Sequence, residues 1–360
     1  MPRKTLHLVT DTDDDRPIFV AGTFNSWSVA KEAYRLLPSG QPNEYSVDVD
    51  LPEGTDRVEY KYTRGGWEAV ELGPYGASTF NHTRFVAEDW SVPDLVVTWA
   101  NKGLNYRDEL LPKIEVLSEK FEIPTLIRTR RIAALLPHDY YETDKHYPVL
   151  YLQDGQNLLE EHAPYGSWGV DKRLASMAAK GQGDLIVIAI DHAADKRVSE
   201  FTPSFNTRLG KGDGRGFVDF LVKHLKPYVD QQFRTLTGPE HTGVGGSSMG
   251  GLLSIYAGIL YPRVYERLMI FSPSLWVTPK IPFHLMKMSD KFRGKIYLYG
   301  GEAESKTMVS NMRRFRRELE KQTESDQVDF RVEVDEHGQH NEARWGVEFP
   351  KAVEWLFFNS

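Results

Sequence analysis

From about residue 115, short apolar runs alternate with segments of helical periodicity. The strand-like runs are RRIAALLP, YPVLYLQDG, DLIVIAID, HTGVGGS, RLMIFSP, GKIYLYGG and VDFRVEVDE. The helical patterns between and after them include GFVDFLVKHLKPYVDQQF, GLLSIYAGILY, SKTMVSNMRRFRRELEKQ and NEARWGVEFPKAVEWLFF. Runs this apolar suit strands that are covered on both faces, as in a parallel sheet between layers of helices. The sequence therefore predicts an α/β domain over residues 115–360.

The N-terminal part of the chain has a different residue pattern. RPIFVAGTFNSW and RVEYKYTRGGWEAVEL are rich in aromatic and β-branched residues and are interrupted by Gly, Pro and Asn. This pattern predicts a small all-β sandwich over residues 1–92, joined by a linker at 93–114 to the α/β domain. A chain of 360 residues has a suitable length for two such domains.

Composition excludes several classes of protein. The chain contains no cysteine, which rules out disulfides, thiolate metal sites and cysteine catalysis. A net charge of −7 argues against nucleic-acid binding. No apolar run approaches the length of a membrane helix, and no cluster of histidines has zinc-ligand spacing. We expect neither metal nor cofactor, no nucleic-acid or membrane partner, and, since no signal peptide is visible, a cytoplasmic location; secretion stays open if a leader was removed.

One glycine-rich turn carries a candidate nucleophile. In HTGVGGSSMGG, a strand-like run ends directly before a helix, and residues 246–250 have the spacing Gly-x-Ser-x-Gly. A sharp strand-to-helix turn exposes the central serine at the helix N-terminus, where backbone N–H groups favour a developing anion. The pattern identifies Ser248 as the nucleophile, with Ser247 as its neighbour on the strand. A glycine-rich turn with an incidental serine is the alternative.

A serine hydroxyl needs a base, and the base needs an orienting acid. His340 follows the last predicted strand, which is where an α/β-hydrolase places its base, and His337 is the rival in the same loop. The acid should follow GKIYLYGG, where Glu302 and Glu304 are both available. The spacing Gly-x-x-acid from residue 301 favours Glu304. A solvated loop charge is the alternative for either glutamate.

Two backbone N–H groups should stabilise the tetrahedral intermediate of such a reaction. The residue after the nucleophile, Met249, supplies the first. The loop after YPVLYLQDG should supply the second, and we assign it to Gln156, with Gly155 as the second choice.

These motifs resemble those of the esterase D-type esterases. The matching stretches are HYPVLYLQDGQNLL, GGSSMGG and GQHNEARW with FPKAVEWLF, in family order over roughly residues 113–358. The family has the α/β-hydrolase fold and includes feruloyl, acetyl-xylan and enterobactin-type siderophore esterases. Carried over by position, the resemblance puts the nucleophile on Ser248, the base on His340 and the acid on Glu304.

The resemblance extends to candidate substrate-binding residues. The segment IDHAADKRVSEFTP resembles a family segment that lines the pocket, which makes Arg197 and Glu200 candidates there. An internal ion pair that orders the loop is the alternative for both residues, and the one we favour. Trp168 is a further candidate for substrate contact.

The N-terminal part resembles starch- and glycogen-binding β-sandwich modules through VAGTFNSW and YKYTRGGW. Such modules hold sugars on exposed aromatic rings, which points to Trp27 and Trp67. Core tryptophans are the alternative, and the domain could equally shape the esterase pocket or mediate formation of a homodimer.

These patterns favour a serine carboxylesterase that forms an acyl-enzyme, with saccharide-linked or phenolic esters as substrates. A siderophore trilactone esterase is the second hypothesis; it requires a basic pocket, and Arg197 and Arg215 leave this open. A carbohydrate-binding or scaffold protein with an inactive hydrolase domain is the third. An acyltransferase using the same residues also stays open.

Overall fold

A computed structural model describes residues 2–10, 16–41, 43–72, 79–96, 98–100, 107–159, 166–278, 292–321, 327–336 and 338–359. The chain divides into two compact units, Met1–Asn105 and Tyr106–Ser360. Each unit has its own hydrophobic core.

The first unit is built of strands. In chain order they are β1 (Arg3–Thr10), β2 (Phe19–Gly22), β3 (Leu37–Pro38), β4 (Glu44–Asp50), β5 (Arg57–Thr63), β6 (Glu71–Leu72), β7 (His82–Phe85), β8 (Asp94–Val96) and β9 (Thr98–Trp99). They form sheets of order β3-β4-β1-β8 and β2-β5-β7, with a separate β6-β9 pair. The prediction of a small all-β domain is confirmed.

Alternation of apolar and polar residues creates the core of this unit. Leu6 and Leu8 of β1 are fully buried, as are Tyr60 and Tyr62 of β5 in the other sheet, and all four belong to one cluster. A period of two residues per strand turns these side chains to the same face. Two sheets that share one core in this way form a sandwich.

The stretch predicted as a linker, residues 93–114, is partly built into strands. β8 pairs in parallel with β1, and β9 pairs with β6. Asp94–Val96, which we assigned to a connector, is therefore a strand of a sheet in the first unit.

The second unit contains one sheet of eight strands within its described residues. They are β10 (Lys113–Ile123), β11 (Arg128–Leu136), β12 (Val149–Gln153), β13 (Ile186–Ile190), β14 (Thr242–Ser247), β15 (Arg267–Phe271), β16 (Gly294–Gly301) and β17 (Val328–Asp335). The order is β10-β11-β13-β12-β14-β15-β16-β17, and all neighbours are parallel except around β11. Strands β12 to β17 therefore end at the same edge of the sheet.

Helices cover both faces of this sheet. They are α1 (Gln156–Leu159), α2 (Val170–Ala179), α3 (Arg197–Phe201), α4 (Gly214–Phe220), α5 (Lys226–Gln232), α6 (Met249–Leu260), α7 (Met308–Glu320) and α8 (Glu342–Val353), with π-helical turns at Leu221–Leu225 and Glu354–Phe358. Alternate residues of β12 belong to different hydrophobic clusters. Tyr151 is in the cluster that contains residues of α6, whereas Leu150 and Leu152 are in the cluster that contains residues of α8. The predicted α/β-hydrolase fold is confirmed.

Two elements of this unit were not predicted. β10 mixes charged and apolar residues in KIEVLSEKFEI, and it lies at the edge of the sheet, where only one side of the strand is paired. α2 follows residues 160–165, which lie outside the described part of the chain, and its sequence VDKRLASMAA has a narrow apolar face.

Candidate active site

Ser248 occupies a strained turn between β14 and α6. β14 ends at Ser247, α6 begins at Met249, and Ser248 between them has φ 56° and ψ −119°. A non-glycine residue in this left-handed region costs roughly 1–3 kcal/mol and is found mainly at functional sites. The turn is the one predicted from the Gly-x-Ser-x-Gly spacing.

The flanking glycines allow this turn to pack closely. A Cβ atom at Gly246 would lie 3.0 Å from the backbone carbon of Gly250, and a Cβ atom at Gly250 would lie 3.1 Å from Cβ of Gln153. Both distances are tighter than ordinary van der Waals contact. The glycines thus let the start of α6 lie against β12 while Ser248 reaches the surface of a cavity.

Ser248 contacts the ends of the neighbouring strands. Its N–H donates to the Phe271 carbonyl at 2.9 Å, and its Oγ lies 3.3 Å from Oγ of Ser274. In the described part of the chain, Ser248 Oγ forms no hydrogen bond with His340, although both residues line the same cavity. Catalytic hydrogen bonds are often loose before substrate binds and tighten in the complex.

Glu304 and His340 are in direct contact. Oε2 of Glu304 lies 2.8 Å from Nδ1 of His340, and the Glu304 side chain is 1 % exposed. Its other oxygen, Oε1, accepts hydrogen bonds from the Gly301 N–H at 2.7 Å and the Ser272 hydroxyl at 2.6 Å. A carboxylate fixed by these donors can hold Nδ1 protonated, which leaves Nε2 of His340 available as a base.

The competing candidates are placed differently. Glu302, two residues before Glu304, is exposed, and its backbone N–H donates to the Asp335 carbonyl at 2.9 Å. His337, the rival of His340, lies outside the described residues.

Sequence reasoning missed Ser272 and Trp345. The Trp345 indole N–H donates to Ser272 Oγ at 2.8 Å, and Ser272 in turn donates to Glu304. The Trp345 ring also meets the His340 imidazole edge to face, at a centroid distance of 5.0 Å. Trp345 therefore positions the base directly and the acid through Ser272. The signal available in the sequence was RLMIFSP, because Ser272 directly follows the strand next to that of the nucleophile candidate.

The two backbone donors assigned to the intermediate each begin a helix. Met249 is the first residue of α6, and Gln156 is the first residue of α1. N–H groups in a first helical turn have no acceptor within the helix. The Gly155 N–H, our second choice, donates to the Ile190 carbonyl at 2.8 Å. This bond favours Gln156 over Gly155.

The residues proposed for substrate contact take other roles. Arg197 lines the cavity, but its guanidinium forms two hydrogen bonds with Asp154, at 2.6 and 2.8 Å. Glu200 is fully buried between Arg128 and Arg130. Both residues thus form the internal ion pairs that were the alternative. Trp168 is 3 % exposed and stacks on Phe271, so it packs in the core and does not line the cavity.

The cavity at Ser248 has a volume of about 690 Å³ and an acidic wall. Asp154, Asp195 and Glu342 line it, together with Arg197, His192 and His340. Burial lowers the pKa of His192, which keeps this imidazole neutral near pH 7. Burial also raises the pKa of Glu342 to about 7.

Within the described residues, no group of three or more side chains could hold a metal ion. No described helix has the length and apolarity needed to cross a bilayer.

The N-terminal unit has a second cavity, of about 450 Å³. Trp27 and Trp67 line it, with ring centroids 6.1 Å apart, together with Lys61, Thr79 and Asn81. Trp67 is 46 % exposed, and neither tryptophan belongs to the core cluster of this unit, which contains Trp90 and Trp99 instead.

Comparison of sequences identifies two kinds of relative. An uncharacterized protein, YbbA of Bacillus subtilis (strain 168), is 22 % identical over 242 residues, which cover 63 % of this chain and 92 % of that protein. An alpha-amylase of Niallia circulans is 43 % identical over 72 residues, which cover 20 % of this chain but only 5 % of the amylase.

Solved structures share the fold. The enterobactin esterase FES from Shigella flexneri, in the presence of enterobactin, aligns with a TM-score of 0.57 at 15 % identity, covering 98 % of this chain and 92 % of that one. A ferulic acid esterase aligns with a TM-score of 0.53 at 15 % identity, covering 69 % of this chain and 98 % of that one.

A family model described as "Putative esterase" matches residues 123–356, which include β11 to β17 and the whole cavity around Ser248. The chain belongs to this esterase family and is a carboxylic ester hydrolase.

Proposed function

We propose that the chain is a serine esterase acting on neutral saccharide-linked or phenolic esters, with Ser248 as nucleophile, His340 as base and Glu304 as acid. The observation that carries the proposal is the 2.8 Å contact between Glu304 and His340 at the cavity into which the strained Ser248 turn opens.

The geometry supports a two-step reaction. Ser248 Oγ attacks the ester carbonyl carbon while Nε2 of His340 takes the hydroxyl proton, and Glu304 stabilises the resulting imidazolium. The N–H groups of Met249 and Gln156 bind the oxyanion. As the intermediate collapses, the C–O bond to the alcohol breaks and His340 gives the alcohol its proton. Water then attacks the acyl-enzyme, with His340 again as base, and releases the carboxylic acid and Ser248.

The charge of the cavity supports neutral substrates. Its carboxyl groups on Asp154, Asp195 and Glu342 face a single lining guanidinium, Arg197, which is already paired with Asp154. Arg215 is exposed and lies outside the lining. A catecholate trilactone is anionic and would meet repulsion here. The siderophore hypothesis keeps support from similar proteins, among them the enterobactin esterase that aligns with both units. Membership of the esterase family argues against a scaffold protein with an inactive hydrolase domain.

A substrate panel tests this choice. We expect kcat/KM for methyl ferulate or an acetylated xylo-oligosaccharide to exceed that for a catecholate trilactone by about tenfold or more, since one unfavourable charge contact near a protein surface is worth roughly 1–4 kcal/mol. Initial rates at equal ionic strength provide the measurement. A preference for the trilactone would contradict the neutral-substrate proposal while leaving the triad intact.

We further propose that the N-terminal unit binds α-glucans at Trp27 and Trp67. The exposed ring of Trp67 and the half-buried ring of Trp27 could stack on the apolar faces of sugars, while Lys61 and Asn81 offer polar groups to hydroxyls in the same cavity. The sequence match to the alpha-amylase supports this assignment.

Removing either ring should weaken glucan binding. Trp27→Ala and Trp67→Ala should each reduce affinity for soluble starch by about tenfold, because a lost aromatic contact is worth roughly 0.5–1.5 kcal/mol beyond its buried area. Retardation in native gels containing starch measures this. Phe80→Ala is the matched control, since Phe80 is 97 % exposed and does not line the cavity. Equal retardation of all variants would point to a structural role for the unit.

A further inference from the structure

We infer that Glu342 determines the charge specificity of the active-site cavity: its carboxyl group discriminates against esters that carry a negative charge close to the reacting carbonyl. The inference deepens the proposed esterase function and rests on it.

The position of Glu342 couples it to the candidate catalytic residues. It is the first residue of α8, directly after Asn341, whose side chain caps the helix by accepting from the Arg344 N–H. His340 lies just before the cap. Glu342 lines the cavity together with Ser248 and His340, and it is only 8 % exposed. Any ester bound at Ser248 therefore shares this cavity with the largely buried Glu342 side chain.

The backbone N–H of Glu342 partly stabilises the ionised form of its carboxyl group, but its side-chain partner is weak. The amide of Asn157 donates to Oε1 of Glu342 at 3.4 Å, a long contact. Asn157 is itself 8 % exposed, and its buried Oδ1 has no hydrogen-bond partner among the described residues. A protonated Glu342 could supply a donor to such an acceptor, whereas an ionised Glu342 could not.

Burial and the charged groups around the cavity determine the pH at which Glu342 ionises. Burial and, to a smaller extent, the nearby Asp154 carboxylate raise its pKa to about 7, while its own backbone N–H, His340 and Arg197 oppose the rise. Arg197 is held by Asp154 through two hydrogen bonds. Asp195 and His192 also line the cavity. Glu342 is consequently neutral in mildly acidic solution and anionic in mildly alkaline solution, where its repulsion of an anionic ester is greatest.

Matched pairs of esters isolate this effect. Phenyl acetate is compared with 4-acetoxybenzenesulfonate, and phenyl propanoate with phenyl 3-sulfopropanoate, so that the sulfonate sits once on the alcohol part and once on the acyl part. The sulfonate stays anionic throughout the assay range. The ratio of kcat/KM for the two members of a pair cancels the titration of the shared catalytic groups, including His340.

We expect the neutral-to-anionic ratio of the wild-type protein to rise by about tenfold between roughly pH 5.5 and 8.5 in at least one pair, as one charge contact of about 1.4 kcal/mol requires. In Glu342→Gln the ratio should stay flat, near the acidic value of the wild type. Glu342→Asp keeps the charge and should keep the rise. Asp195→Asn is the matched control: it removes another lining carboxylate, but the hydrogen bond from Lys196 lowers the pKa of Asp195, so it stays ionised over this pH range and should leave the rise in place.

A ratio that rises equally in Glu342→Gln and wild type would overturn the inference and leave the esterase proposal standing. So would a wild-type ratio that does not change with pH in either pair. If the wild-type protein hydrolyses none of the neutral esters, the proposed function fails, and the inference fails with it.

Discussion

Substitution of Ser248 by alanine should lower kcat for a neutral ester by about 10⁴- to 10⁶-fold, the usual loss when a triad nucleophile is removed. In the proposed mechanism this hydroxyl forms the acyl-enzyme. Its described hydrogen bond, to Ser274 Oγ, is long at 3.3 Å, so its removal should leave the fold intact. Burst kinetics with a chromogenic ester and the thermal unfolding midpoint measure the two effects separately.

Ser247→Ala provides the control on the same turn. Ser247 is the last residue of β14 and is 5 % exposed, one position away from the strained backbone. We expect a far smaller loss of activity than for Ser248→Ala. If the two variants behaved the other way round, the assignment of the turn would be wrong.

Substitution of Glu304 by glutamine should lower kcat by roughly two to four orders of magnitude, with less change in KM. The carboxylate accepts from Gly301, Ser272 and His340 with its two oxygens. The amide of glutamine has only one oxygen, so its NH₂ group must face either the His340 ring or the donors from Gly301 and Ser272. Facing His340, it would favour the tautomer whose Nε2 carries the proton and cannot act as a base. Steady-state kinetics over about pH 5 to 9, around the usual imidazole pKa, measure the effect.

Glu302→Gln is the corresponding control. Glu302 is exposed, and a solvated loop charge should change kcat by less than about tenfold. A large loss in Glu302→Gln alone would move the acid two residues upstream. Rates near that of the wild type in both variants would indicate that His340 works without a carboxylate.

The sequence predicted those parts of the site that follow from local patterns. Gly-x-Ser-x-Gly between a strand and a helix is a local geometry, and the structure has that turn at Ser248. Parallel strands end at one edge of a sheet, which is why the loops after β16 and β17 bring Glu304 to His340. The choice of Glu304 over Glu302 came from spacing and from the family resemblance, and the contact with His340 agrees with it.

The remaining parts depend on tertiary contacts that no local pattern contains. Ser272 and Trp345 meet across 73 residues of chain, and Asn157 and Glu342 across 185. Whether an individual tryptophan lies in the core or lines a cavity was equally hard to predict from the sequence. We expected Trp168 to contact substrate, but it packs on Phe271. Trp27 and Trp67 lie outside the hydrophobic core of their unit, although the core is a common place for tryptophan. Side-chain burial in these cases is decided by neighbours distant in sequence.

The position of β17 links activity to the order in which the chain is made. Among the described strands, β17 lies at the edge of the sheet and pairs with β16 alone, and the loop after it carries His340. Ser248 follows an interior strand, β14, which is flanked by β12 and β15. During synthesis, which adds about 5–20 residues per second, the nucleophile turn leaves the ribosome before the acid and the base. A partly made chain would therefore expose a serine without proton-transfer partners. In the finished protein, local unfolding of β17 would displace the loop that carries His340. Activity would then be lost before the rest of the sheet unfolds.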